Sequence, residues 1–238
     1  MITKELTVFG RALMDFHAEK AEHKLMLNTS YGEPEEMPLW YFFRGYEEMP
    51  PLEKMAISIC DGRVLDVGAG TGSHAICLQQ LQLEVTAIDT SQDAVNVMQL
   101  SNVKDARAID YFQLKDEKYD TLLCLMNGLG FIGKLSRLGL FLKKAEELLK
   151  PEGQIIVDSS DVSYLFADNT KPTDRYYGEV SFQYEYKNQK GPWFDWVYID
   201  KEALTGACAN LGWNVQLLYE DENDQYLARI SRIVDNQN

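Results

Sequence analysis

The sequence predicts an α/β protein, a three-layer sandwich on a mostly parallel seven-stranded sheet. Short β-branched or aliphatic runs alternate with helical patterns between residues 63 and 158, and the connections between them are short. Helices then cover both faces of a parallel sheet, and right-handed crossovers bring the strand ends to one edge. The last two strand patterns, residues 213–219 and 225–233, are joined by the acidic turn 220–224, so the final strand is antiparallel.

At the start, residues 4–27 place Leu6, Phe9, Leu13, Met14, Phe16 and His17 at helical spacing, and one amphipathic helix is expected there. His17 then sits on its apolar face as a core histidine. Residues 28–51 change character, with Gly32, Pro34, the cluster Trp40-Tyr41-Phe42-Phe43 and then Pro50-Pro51. They read as a loop holding at most one short helix. The alternation follows: strand 63–67, helix 71–81, strand 84–88 ending at Asp89, a helix capped by Thr90 or Ser91, strand 106–109 ending at Asp110, and strand 119–126 ending at Asn127. Helix 135–150 stops at Pro151 and Gly153, and strand 154–158 ends at Asp158. Beyond it, Val180, Phe182, Tyr184 and Tyr186 alternate as a strand, residues 188–191 form its turn, and residues 193–199 return as its partner. Asp200 caps a helix over 201–211, which Gly212 ends.

Composition excludes several functions. The net charge is -14, with 37 acidic residues against 23 basic, and no basic run offers a nucleic-acid footprint. Cys60, Cys77, Cys124 and Cys208 lie far apart without CxxC spacing and read as buried free thiols. The start Met1-Ile2-Thr3-Lys4-Glu5 carries no apolar signal segment, and no stretch approaches the roughly 20 apolar residues of a membrane span. A cytoplasmic protein with no membrane partner is the expectation; oligomeric state is not legible.

The chemistry concentrates on Asp66-Val67-Gly68-Ala69-Gly70-Thr71-Gly72, between a strand and a helix. Glycine permits close ligand approach, and the helix start offers unpaired N–H groups. A dinucleotide loop needs its third glycine at position 73, where this chain has Ser73, and no Lys-Ser or Lys-Thr pair follows to anchor a phosphate. A ligand-free turn is the plain alternative.

The run Val64 to Gly72 resembles the signature motif of class I S-adenosylmethionine-dependent methyltransferases. The order of elements over roughly residues 60–233 is similar to that family. The resemblance implies S-adenosylmethionine as cofactor, with Asp66, Gly68, Ala69, Gly70 and Gly72 facing its methionine moiety and ribose. Asp89, with Thr90 beside it, takes the two ribose hydroxyls, and Asp110 accepts from the adenine amino group with Tyr111 beside the ring. Hydroxyls and an exocyclic amine are donors, which a carboxylate satisfies. A helix cap for Asp89 and a solvated loop end for Asp110 are the structural alternatives. Asn127 follows the fourth strand, where the family places residues near the transferred methyl, so it is both a cofactor contact and a catalytic candidate. His74, in the first turn after the loop, is the other catalytic candidate, with packing as its alternative.

Members that methylate planar base or side-chain amides often carry an Asn/Asp-Pro-Pro-aromatic sequence where this chain has Asn127-Gly128-Leu129-Gly130, so exocyclic amines of nucleic-acid bases are not the expected acceptors. No His/Asp/Glu cluster suggests a metal. The division expected is an N-terminal helical cap or lid over residues 1–59 and a methyltransferase core over 60–238, with 161–200 a β insert on the substrate side. Tyr41 and Arg44 from the cap, and Tyr176 and Trp193 from the insert, are the candidate substrate residues. Two aromatic walls suit a small, partly apolar acceptor, whose carboxylate Arg44 would meet unless Arg44 pairs with Glu47 or Glu48 on the surface. A non-catalytic cofactor-binding regulatory or partner protein is the alternative function.

Overall fold

Residues 7–20, 23–167 and 171–233 are described by the computed structural model. The chain opens with α1 (Val8–His17), β1 (Leu25–Thr29) and β2 (Glu35–Met37). Next come α2 (Pro51–Ser58), β3 (Arg63–Val67), α3 (Ser73–Gln80), β4 (Glu84–Asp89), α4 (Gln92–Leu100), β5 (Ala106–Ala108) and β6 (Tyr119–Cys124). It closes with α5 (Leu138–Leu148), β7 (Leu149–Ser160), β8 (Glu179–Tyr186), β9 (Gln189–Val197), α6 (Lys201–Ala209), β10 (Trp213–Glu220) and β11 (Gln225–Arg232).

Seven strands form one sheet in the order β10-β11-β7-β6-β3-β4-β5. The β3–β4, β3–β6, β4–β5 and β6–β7 pairs are parallel, and β11 is antiparallel to both its neighbours. Strand alternation sorts the side chains into two cores. Leu65, Leu122, Cys124, Ile155 and Val157 pack with α5 and α6, whereas Val64, Leu123 and Ile156 pack with α2, α3 and α4. The three-layer sandwich with an antiparallel last strand is therefore as expected. Among the boundaries that differ, β7 starts directly after α5, so Pro151 and Gly153 lie within the strand.

The N-terminal region departs further from expectation. The first turn of the expected helix, including Lys4 and Leu6, lies outside the described residues. The helix ends at His17, and Glu19 takes a left-handed φ of 56°. Residues 25–27, expected as helix, belong to strand β1, and the expected loop 28–51 holds the end of β1 and all of β2. Both belong to a second, antiparallel sheet in the order β2-β1-β8-β9, in which β1 pairs with β8. Pairing with a distant strand overrides a local helical pattern. The β8–β9 turn is the two-residue Lys187-Asn188, both left-handed at φ 51° and 60°, the geometry a tight hairpin needs.

Helix α1 is pinned to α4. The Thr7 N–H and hydroxyl both donate to Asp93 Oδ2, at 3.0 and 3.2 Å. A Cβ at Gly10 would lie 2.4 Å from Asp93 Cβ, closer than packing allows. Gly10→Ala is therefore expected to destabilise the protein by about 1–3 kcal/mol through overpacking. Urea unfolding measures this, and an unchanged midpoint would show that α1 does not need this close approach.

Candidate active site

The parallel strands carry Asp66, Asp89, Asp110, Asn127 and Asp158 to one edge of the sheet. A cavity of about 330 Å³ opens there. Its floor is the loop after β3, where Gly68 and Gly70 take left-handed φ values of 70° and 57°. A Cβ on either would meet nothing within 4 Å, so the backbone there faces open space. Gly72 differs: it begins α3, and its Cβ would strike Val103 at 2.6 Å, so it serves packing and does not line the cavity.

The carboxylates are unequally satisfied. Asp89 Oδ1 accepts the Ser91 N–H at 2.8 Å, and Oδ2 accepts the Gly70 N–H at 3.0 Å. Burial raises its pKa, and these N–H donors oppose the rise. Asp110 accepts the Phe112 N–H at 2.7 Å while its side chain borders the cavity. Beside it, the Tyr111 ring stacks on Phe141 with centroids 5.1 Å apart, and its hydroxyl donates to the Phe141 carbonyl. Asp66 is only 2% exposed and its Oδ2 has no hydrogen-bond partner. Burial pushes its carboxyl up to about 6.

A second cavity of about 320 Å³ adjoins the first and shares Phe42, Met126, Tyr184, Phe194 and Trp196 with it. Phe182, Tyr184, Phe194, Trp196 and Tyr198 form its aromatic wall, and the N-terminal segment closes the other side with Tyr41, Phe42 and Arg44. The Phe42 carbonyl accepts the hydroxyls of Thr71 and Ser73, which ties that segment to the glycine loop. Met126 and Asn127 border this cavity in succession at φ 62° and 54°, strained values for residues other than glycine. Asp158 holds them: its Oδ1 accepts the Asn127 N–H at 2.9 Å, and Gln225 donates to Oδ2 at 3.2 Å. Burial raises Asp158 to about 6.

Between the cavities lies a buried ionic cluster. Glu53, from α2, accepts from Arg44 Nη2 through Oε1, and its Oε2 lies 2.9 Å from His74 Nε2. Burial lowers the His74 pKa, but the Glu53 contact and the charge of Asp66 outweigh it and the net shift is upward. His74 is thereby engaged with Glu53 on its Nε2 side.

Most of the sequence-expected site residues converge. Asp66, Gly68, Ala69, Gly70, His74, Asp89, Thr90, Asp110 and Tyr111 border the first cavity, and Tyr41, Arg44 and Asn127 border the second. Arg44 pairs with Glu53, not with Glu47 or Glu48. Tyr176 and Trp193 border neither cavity. The Tyr176 hydroxyl donates to Asp200 at 2.5 Å and its ring packs on the main core. Trp193 is 52% exposed because the alternation of β9 turns Phe194 and Trp196 inward. Sequence reasoning missed Glu53, Met126, Phe194, Trp196, Tyr198 and Gln225. The period-two spacing of Phe194, Trp196 and Tyr198 was the available signal for three of them.

A methyltransferase-domain family model matches residues 60–199. The crystal structure of an S-adenosylmethionine-dependent methyltransferase from Bacteroides fragilis, in complex with S-adenosyl-L-homocysteine, superposes with a TM-score of 0.89 at 39% identity. That match covers 96% of this chain and 95% of the other. A ubiquinone biosynthesis O-methyltransferase of Bradyrhizobium diazoefficiens is 30% identical over 99 residues, 41% of this chain and 39% of that protein. Its namesake in Dechloromonas aromatica is 26% identical over 140 residues, 52% of this chain and 59% of that protein. The chain spans about half the length of the curated relatives it matches.

The raised carboxyls have a consequence for stability. With Asp66 at about 6 against 3.8 for the ordinary group, the folded protein holds a proton that the unfolded chain has released. Ionising Asp66 therefore costs stability, a cost that is absent below about pH 4, grows to about pH 6 and stays constant above. Asp66→Asn is expected to stabilise the ligand-free protein at pH 8 by on the order of 1–3 kcal/mol and to leave it unaffected near pH 4. Urea unfolding at both pH values tests this, and a variant less stable than the parent at pH 8 contradicts it.

Proposed function

The chain belongs to the methyltransferase-domain family and transfers a methyl group from S-adenosylmethionine, and from this premise we propose that the acceptor is a small, largely apolar molecule held in the second cavity. The adjoining of the two cavities across five shared side chains carries this reading. Each is near the lower end of the size range for small-molecule pockets. The net charge of -14 supports an acceptor other than nucleic acid. Free thiols at Cys60, Cys77, Cys124 and Cys208 support a cytoplasmic setting. Among the described residues, no helix is long and apolar enough to cross a membrane.

The residues of the first cavity fit the donor. The open backbone at Gly68 and Gly70 accommodates a closely approaching ligand, and Asp66 borders the same cavity. Asp89, with Thr90 beside it, takes the ribose hydroxyls; Asp110 accepts from the adenine amino group, with Tyr111 as the wall beside the ring. When bound, S-adenosylmethionine supplies a sulfonium methyl open to in-line displacement. Displacement of this kind is accelerated by positioning and by exclusion of water. Phe42, Phe194 and Trp196 exclude water at the shared wall, and Tyr41 orients the acceptor from the N-terminal side. Asn127, strained and anchored by Asp158, fixes the edge between the two ligands.

Incubation with labelled S-adenosylmethionine and a fractionated metabolite extract tests the function, with label expected in a small-molecule fraction. Recovery only in nucleic acid or protein contradicts the acceptor class. Asp89→Ala is expected to weaken S-adenosylhomocysteine binding about tenfold or more, or about 1.4 kcal/mol, by calorimetry. Unchanged affinity in the folded variant removes the ribose role. Gly130→Ala acts on the other side. Its Cβ would lie 1.8 Å from the Trp196 ring, so the ring must shift, and turnover is expected to fall more than donor affinity. Equal loss of both would place Trp196 with the donor instead.

A further inference from the structure

The second cavity is lined almost wholly by neutral side chains. Among the described residues that border it, Arg44 is the one cationic group and Glu53 the one anionic group. Glu53 is 3% exposed and engaged on both oxygens, by Arg44 Nη2 and by His74 Nε2. We propose that Arg44 holds an anionic group of the acceptor, which makes the acceptor a small planar aromatic molecule that bears a carboxylate. This deepens the reading of the second cavity as the acceptor site and rests on it.

Three features carry the assignment. The first is unused donor capacity. A guanidinium has five N–H donors, and Glu53 engages Arg44 through Nη2 alone. Arg44 Nε and Nη1 have no hydrogen-bond partner among the described residues, and neither is sealed from solvent. Arg44 borders the second cavity and not the first. Its planar fork of donors also matches a carboxylate better than a lysine ammonium does. Charge is the second feature. Glu53 is shared between Arg44 and His74, whose pKa is shifted upward, so one carboxylate faces two basic groups. A buried cation that is only partly compensated is costly, and an arriving anion relieves it. No Lys and no other Arg among the described residues borders either cavity, so the chain of net charge -14 offers an arginine at this corner alone. The third feature is the facing wall. The Phe194 ring centroid lies 5.1 Å from that of Tyr184, 6.0 Å from Phe182 and 6.3 Å from Trp196. A continuous aromatic face of this kind suits a planar ring. Tyr41, whose ring centroid is 5.4 Å from Arg44 Cζ, flanks the charged end.

The test uses benzoate, benzamide and benzyl alcohol, ring probes of similar size of which only benzoate is charged. The first cavity is kept filled with S-adenosylhomocysteine. Probe affinities are read by NMR titration for the parent protein, Arg44→Met, Arg44→Lys and the double variant Arg44→Met/Glu53→Gln. The double variant leaves no buried carboxylate without its arginine and guards against misfolding of the single one. The parent is expected to bind benzoate about tenfold or more tighter than either neutral probe. In Arg44→Met and the double variant that preference is expected to vanish, while S-adenosylhomocysteine affinity changes by less than about twofold. Arg44→Lys should keep part of the preference. A parent without the preference, or a preference that survives in the double variant, would overturn the inference. A parallel loss of S-adenosylhomocysteine affinity would place Arg44 with the donor and overturn it as well. Inhibition of methyl transfer into the metabolite extract separates this inference from the reading beneath it. Benzoate is expected to inhibit more strongly than benzamide or benzyl alcohol. Equal inhibition by all three probes would leave the acceptor cavity in place and remove the carboxylate. Benzoate that bound through Arg44 without inhibiting transfer would remove the acceptor reading itself, and the inference with it.

Discussion

Parallel pairing at the centre of the large sheet is the constraint on which the site depends. With β3 paired to β4 and β6, and β6 to β7, each strand must release its carboxyl end at the same edge. Helices occupy both faces, so the residues after each strand have no further strand to bond. This chain places acids there and satisfies them with backbone N–H groups to different extents. Asp89 and Asp158 are each held by loop amides, whereas Asp66 keeps an oxygen without a partner. The polarity of the edge is thus a product of topology.

A second constraint is imposed from outside that sheet. Strand β1, near the start of the chain, pairs with β8 of the late insert, so two segments remote in sequence form one four-stranded sheet. Its inward face supplies the aromatic wall of the second cavity. The bonds from the Thr71 and Ser73 hydroxyls to the Phe42 carbonyl then join the N-terminal segment to the floor of the first cavity. The two cavities are consequently not set independently: what moves the N-terminal segment moves the boundary between them.

Several elements at that boundary are unfavourable for stability alone. Met126 and Asn127 hold left-handed backbone without the freedom of glycine, and Arg44, Glu53 and His74 keep charge in the interior. Strain of this kind costs about 1–3 kcal/mol per residue, and buried ion pairs often do no better than apolar packing. Their concentration at the junction of two cavities, instead of in the two cores, is consistent with a site held ready for charged ligands.

The sequence by itself determined the layered core and the edge at which the first cavity opens. Strand periodicity and short connections are local properties, and a glycine loop followed at fixed intervals by Asp89 and Asp110 stays legible because each acid is adjacent to its own strand end. Only the tertiary structure decided the rest. The strand character of residues 25–29 arises from pairing with β8 and is invisible in a segment whose apolar residues also suit a helix. Alternation puts Trp193 and Trp196 on opposite faces of β9, but only the packing of the small sheet decides that the face of Trp196 meets the cavity. Glu53 carries no motif at all; its role comes from α2 lying against α3, which brings a carboxylate to Arg44 and His74 at once. Periodicity records which face a residue takes within its own element, but the partner on that face is set by packing between segments that the chain brings together only on folding.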